Sequence, residues 1–135
     1  MAIINTLQKC LDSPYLFQDP EAPGRVVSLL QFAGDRLDAA RKIQESAKPD
    51  PADIGSLAYE AMFAALRALV YAKGYREAGL RCLMLACEQL YVRPGLLDAS
   101  HVLAFERAQG QKLPPSEAIE SASAFLAKAR ELVGS

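Results

Sequence analysis

The chain carries one histidine, His101, and three cysteines, Cys10, Cys82 and Cys87, and these bound the chemistry its residues can attempt. A single imidazole excludes every site built on two, including the helical His-Glu-x-x-His zinc site. The cysteines and His101 do not stand at zinc-ligand spacing. Asp98 and Ser100 flank His101, but neighbours three and one positions away on a helix do not assemble a nucleophile–base–acid triad. His101 is therefore expected as a partly exposed helix residue. Gly74, Gly79, Gly95 and Gly110 are scattered over helix ends and turns, so no glycine-rich loop cradles a phosphate. Asp50, Asp53 and Asp98 make no paired-carboxylate pattern. No metal site and no cofactor are expected.

Positive charge is what remains. Residues 67–112 hold seven basic side chains against four acidic ones, net +3, whereas residues 1–66 are net −3 and the remainder −1. The whole chain is near neutral, −1 with a pI of about 5.8, so it projects no bulk cationic field toward nucleic acid or acidic membranes. Locally, Arg67, Arg76 and Arg107 can hold phosphate through charge-assisted hydrogen bonds. The plainer reading is that these arginines are solvated helix faces.

The elements that must position these groups are helical. Ala (23) and Leu (19) lead the composition while Val, Ile and Thr together number 12, and the first pair heads the helix propensity scale. At 135 residues the chain suits one domain that can bury a real core. Residues 1–11 read as a short amphipathic helix. Pro14, Pro20, Pro23 and Gly24 exclude regular structure from 12–24, and Tyr15, Leu16 and Phe17 should fold this extension back over the core. In residues 25–48, Val26, Leu30, Ala33, Leu37 and Ala40 form one stripe of a long helix. Proline then breaks the chain twice, and Ser56 or Asp53 is placed to cap the next helix, residues 56–73.

That helix is apolar around nearly its whole circumference. Ala61, Ala65, Ala68 and Ala72 form a row of small side chains that lets another helix approach closely. A small bundle is not expected to encircle one of its own members. Tyr59, Met62, Phe63, Leu66 and Val70 are therefore expected to form a homodimer interface. Gly74 ends the helix in the left-handed manner, and helices over 76–92, 96–108 and 115–133 follow. The domain reading is an N-terminal helix and proline-rich loop, 1–24, packed on a bundle, 25–135. The fold class is all-α: an antiparallel up-and-down bundle of four to five main helices with no sheet.

Glu60, Arg67 and Lys73 interrupt the most apolar run, so no membrane span is expected. The N-terminus lacks a basic region followed by an apolar stretch and cleavage site. Cys82 and Cys87 lie five apart, so their side chains diverge among Leu, Met and Ala. Three free thiols and a cytoplasmic setting are the expectation.

One segment carries more than composition. Tyr59, Ala61, Met62, Phe63, Arg67, Ala68, Leu69, Ala72, Lys73, Gly74, Tyr75 and Arg76 resemble the signature helix and turn of HEPN domains (higher eukaryotes and prokaryotes nucleotide-binding). The amphipathic helix before it and the closing SEAIESASAFLAKARELV fit the same layout, so the resemblance spans residues 25–135. It implies an antiparallel helical bundle, commonly dimeric. It also implies either a metal-independent RNase, often a toxin neutralised by a nucleotidyltransferase-like antitoxin, or a noncatalytic module that binds nucleotide or RNA. RNase members carry an Arg followed after four to six residues by His. Arg107 stands where that arginine falls, but Ala-Gln-Gly-Gln-Lys-Leu follows it, and His101 precedes it. General acid–base cleavage needs a proton donor beside the reacting oxygen. The sequence reading is a noncatalytic, dimeric HEPN-like module, with Arg107 and His101 as the candidates for an atypical RNase site. A purely structural helical protein is the third reading.

Overall fold

The structure is a computed structural model that describes residues 3–134. Its architecture is a helical bundle, α1 (Leu7–Leu11), α2 (Val26–Gln44), α3 (Pro51–Tyr71), α4 (Leu80–Cys87), α5 (Ala99–Gln109) and α6 (Pro115–Leu132). Among the described residues the sheet that was not expected is a two-stranded antiparallel ribbon, β1 (Leu16–Gln18) against β2 (Tyr75–Glu77), in register Leu16↔Glu77, Phe17↔Arg76 and Gln18↔Tyr75.

Helix α3 begins five residues earlier than expected. Pro51 occupies the first helical turn, where its missing N–H costs nothing, and the Asp50 carboxylate accepts from the Ala52 N–H at 2.9 Å. The cap is thus Asp50 rather than Ser56 or Asp53. This helix is the axis of the molecule: α2, α6, α5 and α4 all pack on it. Its length and composition would suffice to cross a membrane, and most of that apolar surface lies inside the bundle. Ala58, Ala61, Ala65 and Ala68 have no accessible surface, which is what small side chains permit when neighbouring helices close in.

This centrality corrects the expected dimer face. Met62, Leu66 and Val70 are 0% exposed in the single chain, leaving a partner subunit nothing to touch. Besides the long helices, the turn Ala22–Arg25 and the strand β2 pack on α3 and supply cover that a count of long helices omits.

Two further expectations change. Residues 12–24 were expected to hold no regular structure, yet Leu16–Gln18 is a strand; the prolines bracket it without interrupting it, and Leu16 is fully buried. The helix expected over 76–92 starts only at Leu80. Gly74 (φ 84°) turns the chain out of α3 into β2, and Gly79, extended at φ −143° and ψ 140°, lies against Tyr15, where an added Cβ would sit 3.3 Å from that ring. After Cys87 the helix loosens into a π-turn, Glu88–Val92, which keeps Tyr91 inward with its hydroxyl donating to the Leu69 carbonyl.

The expectation of three free thiols is also corrected. Cys10 of α1 is disulfide-bonded to Cys82 of α4, with Cα atoms 5.6 Å apart across 72 residues of sequence, and only Cys87 is free. Cys82 and Cys87 do diverge. The partner comes from the extension, which doubles back over α4. Cysteine usage therefore gives no argument for a reducing compartment.

Candidate functional site

The residues singled out for chemistry do not converge. His101 stands in the first turn of α5, half-buried, its ring stacked on Phe125 at 5.5 Å. Burial holds its pKa below the ordinary 6.5 and Lys128 pushes the same way, with Asp98 opposing them. Asp98 is committed to the helix start, where its carboxylate accepts from the Ser100 N–H at 2.8 Å. That bond draws the Asp98 carboxyl below its usual range.

Arg107 lies in the last turn of the same helix, exposed, where a cation meets the negative end of the helix dipole. Six residues on an α-helix separate it from His101 by about 9 Å along the axis and roughly 120° around it. Within one chain the two cannot face a common phosphate.

Arg67 and Arg76 are occupied elsewhere. The Arg67 Nε donates to Glu77 Oε2 at 2.9 Å, and its guanidinium lies 4.3 Å over the Phe63 ring. Glu77 is only 7% exposed, and its second oxygen accepts from the Tyr71 hydroxyl. Burial, and then that bond and charge, push the Tyr71 pKa up to about 12. Arg76 pairs with Asp19 at 3.6 Å, tying the extension to β2. Elsewhere in the basic stretch Arg93 pairs with Glu88, the Arg81 Nε donates to the Ile4 carbonyl, and Lys73 sits over the Tyr91 ring. Among the described residues, Arg107 and Lys112 alone of the seven cations are without such a partner.

Of the expected interface residues, Tyr59 and Phe63 retain accessible surface. Phe63 lines an open groove of about 370 Å³ between α2 and α3, together with Leu29, Phe32, Glu60, Ala64 and Arg67. Phe32 is 42% exposed, and Arg36 covers its ring while pairing with Glu60 at 3.2 Å. Tyr59 stacks on the buried Phe105 at 5.1 Å.

A second cavity, about 480 Å³, opens where the start of α3 meets the α5–α6 connection, and the sequence reading did not single it out. Its polar lining is Ser56, Tyr59, Gln109 and Gln111. Burial raises the Tyr59 pKa above its ordinary 10.0 against the opposing charge of Arg67. Among the described residues no three His, Cys, Asp or Glu side chains come together to hold a metal ion. Comparison of the chain with protein-family models, curated proteins and solved structures finds no match.

Proposed function

We propose that the protein is a noncatalytic HEPN-like binding module that works by association. It pairs with a second copy of itself and engages a nucleotide, an RNA or a nucleotidyltransferase-like partner of the toxin–antitoxin kind. One observation carries the noncatalytic reading: the only imidazole is stacked on Phe125 and set about a third of a turn away from Arg107. An arginine alone, charged at every cellular pH, is a poor proton shuttle.

The phosphate contact falls to Arg107 and Lys112, because the other cations of the basic stretch are engaged within the chain. Two phosphate contacts to a single strand imply a slope of log Kobs on log salt of about −1.4. Binding therefore falls about sevenfold between about 50 and about 200 mM salt. Self-association is assigned to the α2–α3 groove, where Leu29, Phe32 and Phe63 offer apolar surface that the monomer leaves half covered.

The deciding experiment incubates the purified protein with labelled single-stranded RNA, with and without chelator, and follows both binding and integrity. The expected result is intact RNA, salt-sensitive binding that Arg107→Ala weakens, and a dimer by sedimentation. Chelator-resistant cleavage abolished by both Arg107→Ala and His101→Ala would instead establish the atypical RNase. A monomer that binds neither RNA nor a copurifying chain would leave a structural role.

A further inference from the structure

We propose that the cavity between the start of α3 and the α5–α6 connection binds a small uncharged ligand with a flat apolar body and an amide-like donor–acceptor edge. The inference goes beyond the association reading and does not rest on it.

The chemistry of the lining selects the ligand class. No lining residue carries a charge at neutral pH: the single ionisable group is the Tyr59 hydroxyl, a phenol that is neutral there. The lining residues therefore offer an anion no ion pair. Instead the cavity offers two carboxamides, Gln109 and Gln111, and two hydroxyls, Ser56 and Tyr59. A carboxamide presents a donor and an acceptor side by side, which is the complement of an amide, lactam or amino-heterocycle edge. Pro51, Leu113 and Pro115 supply apolar walls. The volume, about 480 Å³, falls in the range of small-molecule sites and exceeds what one planar ring needs.

Two residues at this cavity run against backbone economy. Gly55 sits within the 21-residue helix α3, where glycine is the least favourable residue after proline. Nothing lies within 4 Å of the Cβ it lacks, so no close helix approach requires it. Its visible consequence is open space at the cavity wall, which it lines. Gln111 is the only non-glycine residue among those described with positive φ, at 58°, and it follows a glycine, Gly110, at an ordinary −82°. Reversing the two would put glycine where left-handed backbone is unstrained. As the chain stands, the strained position carries a carboxamide that lines the cavity. Gln111 takes the left-handed position that ends α5, where its N–H donates to the Ala108 carbonyl and the Lys112 N–H to the Arg107 carbonyl, a position glycine fills at less cost; Gly55 leaves the space open and Gln111 adds a carboxamide residue to its lining.

The test titrates the full chain with uracil and with nicotinamide as neutral planar probes, and with benzoate as a flat anion, followed by amide NMR. Both neutral probes are expected to shift signals of Ser56, Tyr59, Gln109 and Gln111, with an affinity of roughly 1 mM that salt does not change. Benzoate should bind about tenfold more weakly or not at all. Gly55→Leu fills the space, and Gln111→Gly relieves the backbone; each should raise Tm while weakening probe binding about tenfold. Should Gly55→Leu not fold, Gly55→Ala and Gln111→Gly make the same comparison. Probes that leave these signals unmoved at their solubility limit, benzoate binding as well as uracil, or variants that bind undiminished would each overturn the assignment. Loss of RNA binding in Arg107→Ala leaves this result untouched, so the two readings fail separately.

Discussion

Opening the Cys10–Cys82 bond releases a covalent loop that spans 72 residues of sequence. In the chain-entropy treatment the unfolded state regains freedom of about 15 cal/mol/K for a loop of that length, or about 4 kcal/mol at room temperature. Both cysteines are buried, Cys10 at 0% and Cys82 at 2%, so the folded reduced protein keeps its packing and the effect falls on the unfolded chain. For 135 residues the unfolding entropy is roughly 0.28 kcal/mol/K, so the loss corresponds to a fall in Tm of about 14 °C. The assay is denaturant unfolding of the oxidised protein, the same protein under dithiothreitol, and the Cys10→Ala/Cys82→Ala double variant. The last two should agree with each other and lie about 4 kcal/mol below the first. Thiol titration of the denatured, non-reduced chain should find one group, Cys87, whose burial pushes its thiol pKa up to about 12 and keeps it unreactive in the native state. Three titratable thiols, or a stability difference under about 1 kcal/mol, would refute the reasoning.

His101 supplies a pH signature. Its folded pKa lies below 6.5, so the unfolded chain binds more protons in that window; its contribution to stability is full above about pH 6.5 and is lost as pH falls through the lowered folded value. NMR titration should place the midpoint below 6.5, and His101→Gln should flatten the decline in stability between about pH 7.5 and about pH 5.5; a midpoint at or above the ordinary value contradicts the burial of the ring. Glu77→Gln keeps an acceptor for Tyr71 but removes the charge that Arg67 meets at 2.9 Å, and should cost about 2 kcal/mol in chemical denaturation. A neutral outcome would show that Glu77 contributes no charge-dependent stability despite its burial.

The helical class and the core faces are legible in the sequence because both follow from local rules. The stripe Val26, Leu30, Ala33, Leu37 and Ala40 is buried as its spacing requires, and Gly74 ends its helix in the left-handed conformation. What could not be read locally is what lies beside each helix. An apolar circumference on α3 is the same pattern whether its cover comes from a second subunit or from other elements of the same chain, so Met62, Leu66 and Val70 were open to either assignment. The structure gives them to the core.

Pairings across long separations share that property. The Leu16–Gln18 strand forms because Tyr75–Glu77 is extended beside it, and Cys10 meets Cys82 because the ribbon folds α1 back over α4. Net charge is a sum over the sequence, but availability is a matter of neighbours: five of the seven cations in residues 67–112 are engaged within the fold. The cavity at Gly55 and Gln111 carried no signal in the chain, since Gly55 falls before the helix expected from residue 56 and became a helix residue only when α3 was seen to start at Pro51. Both residues gained meaning only when α3, α5 and α6 were brought together, because a cavity is a property of the space between elements and no single element's sequence encodes it.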